Sequence, residues 1–383
     1  MQYRTFDKLD WKASALGFGA MRLPILDSDS SRIDEPLATR MIRTAIDRGV
    51  NYVDTAYGYH QENSERLVGR ALKDGYRERV KLATKLPCWK VEEWSDFDRL
   101  LNEQLGKLQT DHIDFYLLHG LNAQRWPQMR DLNVIEWAQG ALADGRIRHL
   151  GFSFHDQLEV FKEIVDATDL WEFCQIQYNY MDIEYQAGTE GLRYAAGKGL
   201  GVVIMEPIRG GQLAKSVPPA IQALWDSAPN RRSPAEWALQ WVWNQPEVSL
   251  VLSGMSTMEQ VEENLVSADR SGVGTLTEAE LALIDRVREV YRALCAIPCT
   301  GCEYCLPCPQ GVAIPDVFAI YNDLAMFEDL QRAQNSYNIF MDEDKRADKC
   351  VECGECLSKC PQQIEIPDWL KKAHEVLNQE SVA

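Results

Sequence analysis

PLATRMIRTAIDRGVNYVDTAYGY, residues 36–59, is the stretch from which the fold can be read. Leu37, Met41, Ala45 and Ile46 recur at helical spacing behind Pro36, and Gly49 stops the run. Residues 51–54 then read as a short strand, and Tyr59 falls in the loop just beyond it. Helix followed by strand is the repeating unit of a parallel α/β sheet. Outward from this unit the same alternation recurs about eight times over the first 290 residues, the number that closes a (β/α)8 TIM barrel. Strands are expected at 15–20, 51–54, 80–85, 113–118, 149–153, 173–176, 201–205 and 249–253. A second capped helix is expected from Ser95, burying Phe97, Leu101, Leu105 and Leu108.

A doubly wound open sheet would alternate in the same way. Its dinucleotide fingerprint is missing, because Gly17-Phe18-Gly19 lacks the third glycine and opens no helix. Residues 277–294 read as one helix ending in Ala296-Ile297-Pro298, so the barrel domain is assigned to 1–290 and a second domain to 291–383.

Eight of the eleven cysteines form two runs in that second domain: Cys299, Cys302, Cys305, Cys308 before Pro309, and Cys350, Cys353, Cys356, Cys360 before Pro361. A C-x2-C-x2-C run wraps backbone around one iron–sulfur cubane, and the two runs resemble those of two-cluster ferredoxins, in which the cysteine before proline serves the other cluster. The resemblance implies two 4Fe-4S clusters, one on Cys299, Cys302, Cys305 and Cys360, the other on Cys350, Cys353, Cys356 and Cys308. Zinc ribbons use separated pairs instead. The first run has two residues before its last cysteine where the second has three, which makes Cys308 the least secure ligand. The connection 309–349 carries helical apolar spacing at Val317, Ile320, Tyr321 and Leu324, and again at Leu330, Tyr337 and Phe340. An all-helical dicluster ferredoxin-like domain is therefore expected.

The formal charge of −18 excludes nucleic acid and anionic membrane as partners, since both demand a basic face. No apolar stretch reads as a signal peptide or membrane span. Thiols kept for metal belong in a reducing compartment, so the cytoplasm is expected. An electron-transfer protein that meets this acidic chain should offer a positive patch.

In a barrel of this kind chemistry gathers at the C-terminal ends of strands. Asp54, Tyr59, Lys85 and His119 all fall at or just after such ends. Together with residues 51–59, Glu65 to Gly69, Ala83-Thr84-Lys85 and Leu117-Leu118-His119, they resemble the aldo-keto reductases over residues 1–290. The resemblance implies a small carbonyl or alcohol substrate, with Tyr59 as the acid, Lys85 beside it, Asp54 orienting Lys85 and His119 donating to the substrate oxygen. Physically, a phenol is a reluctant acid at neutral pH, and a neighbouring ammonium is expected to lower its pKa. Tyr57 rivals Tyr59, but the resemblance implies Tyr59, since the family's aspartate and tyrosine stand five residues apart.

The same resemblance implies NADPH or NADH across the barrel mouth. Ser153 and Gln175 match positions that hold the carboxamide, and Glu263 and Asn264 match those near the adenine. Phe154 replaces an asparagine, Met205 replaces an aromatic residue that stacks on the nicotinamide, and Gly254 and Gln260 stand where lysine and arginine hold the 2′-phosphate. NADPH preference is thus unsupported by those positions, although His155, Arg209 and the Gly210-Gly211 pair are candidates to compensate. Cys88, Cys174 and Cys295 read as packing, as do Trp237, Trp241 and Trp243; Gln61, Trp89, Trp126 and Arg209 belong to loops that set specificity. No flavin signature is present. Three functions fit: a reductase whose clusters supply or drain electrons, a plain reductase with structural clusters, and a non-catalytic redox-sensing subunit.

Overall fold

The structure is a computed structural model and describes residues 1–378 apart from Asp7 and Ser216. Its strands are β1 (Tyr3–Phe6), β2 (Leu9–Ser14), β3 (Leu16–Gly19), β4 (Tyr52–Asp54), β5 (Lys81–Leu86), β6 (Ile113–Leu121), β7 (Ile147–Phe154), β8 (Phe173–Gln177), β9 (Gly201–Met205) and β10 (Leu250–Gly254). Strands β3 to β10 form a closed parallel barrel, with β10 pairing back onto β3 through Val251 opposite Leu16. The eight strands expected from sequence are therefore the barrel. Between them, α1 (Glu35–Asp47) buries Met41, Ala45 and Ile46 and is capped by the Asp34 carboxylate on the Leu37 amide. Helix α2 (Ser64–Ala71) and helix α3 (Ser95–Leu108) follow β4 and β5. At the start of α3 the cap is not a Ser95 box: Asp96 instead accepts from the amides of Glu92 and Glu93, at 2.8 and 3.1 Å.

The amino-terminal hairpin has no counterpart in the sequence reading. β1 and β2 pair antiparallel, Tyr3 opposite Ser14. Phe6 at its turn is wholly buried, its ring centroid 5.4 Å from Phe115 and 6.4 Å from Phe173. These partners sit at the beginnings of β6 and β8, so the hairpin closes the barrel end opposite the catalytic one. A side chain at position 201 would run into the Phe6 ring, which explains glycine at the start of β9.

Packing divides the chain into two compact units, residues 1–210 with 235–278, and residues 211–234 with 279 onward. From Ala279 on, the helix Glu278–Ala293 packs within the second unit, where Tyr291 meets Phe327 with centroids 5.2 Å apart. The second unit is helical, with Ile314–Phe327, Leu330–Asn335 and Ile366–Leu377 as its carboxy-terminal helices. Its core joins Val317, Phe318, Tyr337, Ile366 and Leu370, with Cys299, Cys305, Cys308, Cys350, Cys356 and Cys360 packed against it. Two expected core residues face out: Leu330 is exposed, and Phe340 is 81 % exposed because the chain makes a wider π turn over Ser336–Phe340 that breaks the spacing. Among the described residues no helix is long and apolar enough to cross a membrane.

Candidate active site and cysteine cradles

Three consecutive barrel strands deliver the four polar candidates to one end. β4 ends at Asp54, β5 carries Lys85 one residue from its end, and β6 carries His119 near its end. Lys85 and Asp54 are almost entirely buried, at 1 % and 2 % exposure. The Lys85 ammonium donates to both Asp54 oxygens, at 2.7 and 2.9 Å, to the Thr55 carbonyl at 2.8 Å and to the Tyr59 hydroxyl at 3.4 Å. The Tyr59 and His119 rings stand edge to face, with centroids 6.2 Å apart. Trp89 lies against His119 at 5.1 Å. Tyr57, the rival phenol, is directed away and donates to Glu103 at 3.0 Å.

The electrostatics differ in one respect from the sequence expectation. Burial pushes the Tyr59 phenol above its ordinary value of 10; Lys85 pulls it down without prevailing, and Asp54 adds to the rise. An ammonium next to a phenol is not enough to make it acidic when both are removed from water and the ammonium is already neutralised by a carboxylate. Burial also works against the Lys85 charge, but Asp54 and Tyr59 more than offset it and hold the ammonium above its ordinary range. His119 is driven well below 6.5, first by burial and then by Lys85, and is neutral. Its buried Nδ1 has no hydrogen-bond partner among the described residues.

Behind this pair lies a polar bracket that joins Glu65 and Thr84, both within motifs quoted from the sequence, to Gln104 and Tyr116, which the sequence did not single out. Gln104 on α3 donates to Glu65 at 2.6 Å and to the backbone carbonyl of Lys85 at 3.0 Å, and accepts from Tyr116 at 2.7 Å. Thr84 donates to the same Glu65 oxygen at 2.6 Å. The preceding residue, Ser64, bonds Thr55 at 2.9 Å and donates to the Ala20 carbonyl at 3.0 Å. Two successive residues of α2 thus brace the strand ends that carry Asp54 and Lys85.

The expected nucleotide residues line the same end of the barrel. Ser153 accepts from the Gly120 amide at 2.8 Å. Gln175 directs its amide nitrogen to the Met205 sulfur at 3.6 Å, while its buried oxygen has no partner among the described residues, which leaves an acceptor for a carboxamide. Asn264 is turned inward to Ser253 at 3.0 Å. Gln260 is engaged locally: its side-chain oxygen takes the Ser256 amide at 2.8 Å and its own amide donates to the capping Thr257 at 3.3 Å. Glu263 lies exposed on the same helix, Met258–Asp269. At Gly254 the stem of Arg22 occupies the space where a side chain would stand. Of the compensating candidates, Arg209 is held by Asp182 at 2.9 Å. Phe154 packs on Phe161 and Trp126 on Trp171, so both are core. Cys88, Cys174, Trp237 and Trp243 are also wholly buried.

In the second unit the cysteines gather in the crossed sets. One hollow is lined by Cys299, Cys302, Cys305 and Cys360. Another is lined by Cys308 with Cys350, Cys353 and Cys356, and Cys305 borders it as well. Burial raises the Cys299 thiol, and the thiols that act on it are Cys302 and Cys360. Cys356 is raised likewise, with Cys350, Cys353 and Cys308 as its neighbours. Among the described residues no three such side chains converge on a single ion. Zinc would require four sulfurs at about 2.3 Å from one point, whereas a cubane sets its ligands apart around a cluster. The two all-cysteine donor sets, spread around a hollow and not converging on one point, fit cubanes, and Cys308, despite the shortened gap, stands with the second run.

A parallel barrel that brings a buried lysine–aspartate pair to a tyrosine and a neutral histidine at its C-terminal end defines a class of carbonyl-handling oxidoreductase. The Aldo/keto reductase family matches residues 15–289 and the 4Fe-4S dicluster domain matches residues 298–365. L-galactose dehydrogenase of Arabidopsis thaliana is 26 % identical over 317 residues, covering 76 % of this chain and 96 % of that protein. An aldo-keto reductase from Bacillus halodurans superposes with a TM-score of 0.62 at 28 % identity, covering 75 % of this chain and 96 % of its own. One from Klebsiella pneumoniae, solved in complex with NADPH, gives 0.59 at 25 % identity, over 75 % of this chain and 96 % of its own. The chain belongs to the aldo/keto reductase family and carries a 4Fe-4S dicluster domain at its carboxy-terminal end.

Proposed function

We propose that this protein interconverts a small carbonyl and its alcohol with NADPH or NADH, in the cytoplasm, and that its iron–sulfur domain exchanges single electrons with the site or with a basic partner protein. The observation that carries the reading is the Lys85 ammonium shared between the Asp54 carboxylate and the Tyr59 hydroxyl. The bound nicotinamide would supply hydride to the carbonyl carbon. Tyr59 would hold the proton that the substrate oxygen receives. Its raised pKa keeps that proton on the phenol until negative charge develops at the substrate. Lys85, charged, would then stabilise the tyrosinate left behind, and neutral His119 would donate a hydrogen bond to the same substrate oxygen. Asp54 and the Thr55 carbonyl aim the ammonium. Gln175, with a free acceptor, and Ser153 would orient the carboxamide, and Met205, Gly254, Gln260, Glu263 and Asn264 would line the rest of the nucleotide's path.

The two cysteine sets would each hold one 4Fe-4S cluster, a one-electron carrier when bound. The test is anaerobic purification with iron and sulfide analysis, nucleotide titration and a carbonyl panel. The proposal expects about eight irons per chain for two cubanes, saturable binding of NADPH or NADH, and turnover that Tyr59→Phe abolishes. Turnover that survives Tyr59→Phe would refute the catalytic assignment. Cluster absorbance that stays constant through turnover, even with candidate protein acceptors, would refute the electron-exchange part and leave structural clusters.

A further inference from the structure

Tyr59 is followed by three residues in the left-handed backbone region: His60 at φ 52°, Gln61 at 50° and Glu62 at 68°. The run forms one left-handed turn, closed by the Asn63 amide on the His60 carbonyl at 3.1 Å. None of the three is glycine; histidine is among the side chains that enter this region more often, but glutamine and glutamate are not, because a Cβ crowds the following carbonyl. Such a turn persists only where its surroundings over-determine it, and strain of this kind clusters at functional sites.

Every side chain of the turn is tied down. The His60 ring spans two bonds to the segment after β3: its Nδ1 meets the Ser30 carbonyl at 2.9 Å and its Nε2 accepts from the Leu23 amide at 3.2 Å. Those partners require the neutral ring with its proton on Nδ1. Gln61 donates to the Ser30 hydroxyl at 3.2 Å and Asn63 to the Ser31 carbonyl at 3.1 Å. Glu62 is held on its other side by Lys90 at 2.9 Å and Lys107 at 3.4 Å. The Tyr59 backbone is held by its amide on Ala56 and by its carbonyl accepting from Ser64, each at 3.2 Å, and its hydroxyl accepts only from Lys85, at the long distance of 3.4 Å, among the described residues. The phenol's placement over Lys85 therefore depends on the turn that begins at the next residue.

We propose that His60 is a positioning residue for Tyr59: it clasps the 21–34 segment to the left-handed turn and thereby sets the phenol against Lys85. This rests on the catalytic reading of Tyr59 given above. The test compares His60→Ala, His60→Gly and His60→Asn in the cluster-loaded full chain. Asparagine tolerates the left-handed region and offers both a donor and an acceptor. His60→Ala should lower kcat by roughly tenfold to a hundredfold while the KM for nucleotide stays within about twofold, since misplacement by about an ångström costs that much. His60→Gly, which relieves the strain but removes both bonds, should fall as far; His60→Asn should recover most of the loss. Amide exchange should quicken in 57–64 and 21–34 in the Ala and Gly variants and nowhere else. An unchanged kcat in His60→Gly, or unchanged exchange at 57–64, would overturn the proposal. The exchange result stands whether or not the wild type turns over a carbonyl, so failure of the clasp and failure of the catalytic reading give different outcomes.

Discussion

The Lys85 ammonium grips both oxygens of the Asp54 carboxylate, at 2.7 and 2.9 Å, with each side chain essentially withdrawn from water. A pair so placed gains its strength from mutual neutralisation, and either member alone is a stranded charge.

Lys85→Met leaves the Asp54 charge buried without its partner. Stability should fall by about 3–5 kcal/mol, and carbonyl turnover should be lost with it. Asp54→Asn should be milder on stability, since the Lys85 ammonium keeps the Thr55 carbonyl. Denaturant unfolding of the three proteins compares the two; equal stability of wild type and Lys85→Met would show that the pair is not buried in solution.

The pH dependence follows from the two shifted groups. Tyr59 must be protonated and His119 neutral, and burial moves the first above 10 and the second well below 6.5. Activity should hold constant between these limits. It should fall at high pH as the phenol ionises above its ordinary value, and at low pH as the imidazole protonates below its own. A kcat/KM profile with its alkaline limb well below the ordinary phenol value would contradict the burial of Tyr59.

Gln104→Leu removes the donor to Glu65 and to the Lys85 carbonyl and the acceptor for Tyr116. Each stranded buried group costs about 1–3 kcal/mol, so the barrel's thermal transition should move down by several degrees. Because the bracket holds the Lys85 backbone, kcat should drop more than nucleotide affinity. Calorimetry together with steady-state kinetics reads both.

The crossed cysteine sets make a prediction that single substitutions cannot. Cys360→Ser should cost one cluster, as should Cys302→Ser, and the double variant should still retain the other, because both residues line one cavity. Cys360→Ser combined with Cys353→Ser should lose both. Iron and sulfide content of anaerobic preparations distinguishes this from an uncrossed arrangement, in which the outcomes of the two double variants are exchanged.

Much of this protein was legible in one dimension. Alternating short apolar runs and amphipathic helices specified a parallel α/β sheet, because each unit's pattern is set locally by which face it must bury, and the count of eight units with the missing glycine fingerprint pointed to its closure as a barrel. Asp54, Tyr59, Lys85 and His119 were legible as strand-end residues, and the cysteine spacing as cluster cradles. Folding alone decided the rest. The hairpin bearing Phe6 seals the barrel only because β6, β8 and β9 converge beneath it, and residues 1–14 contain no sign of that meeting. The ordering of Tyr59's pKa depends on how much water burial removes and on a carboxylate already paired with the lysine, quantities that sum over the whole barrel mouth. The Gln104 bracket and the left-handed turn at His60 join residues 19 to 39 positions apart. Periodicity encodes which face of a segment is buried; which groups then meet across that buried space, and at what cost in charge and strain, is fixed only when the segments pack.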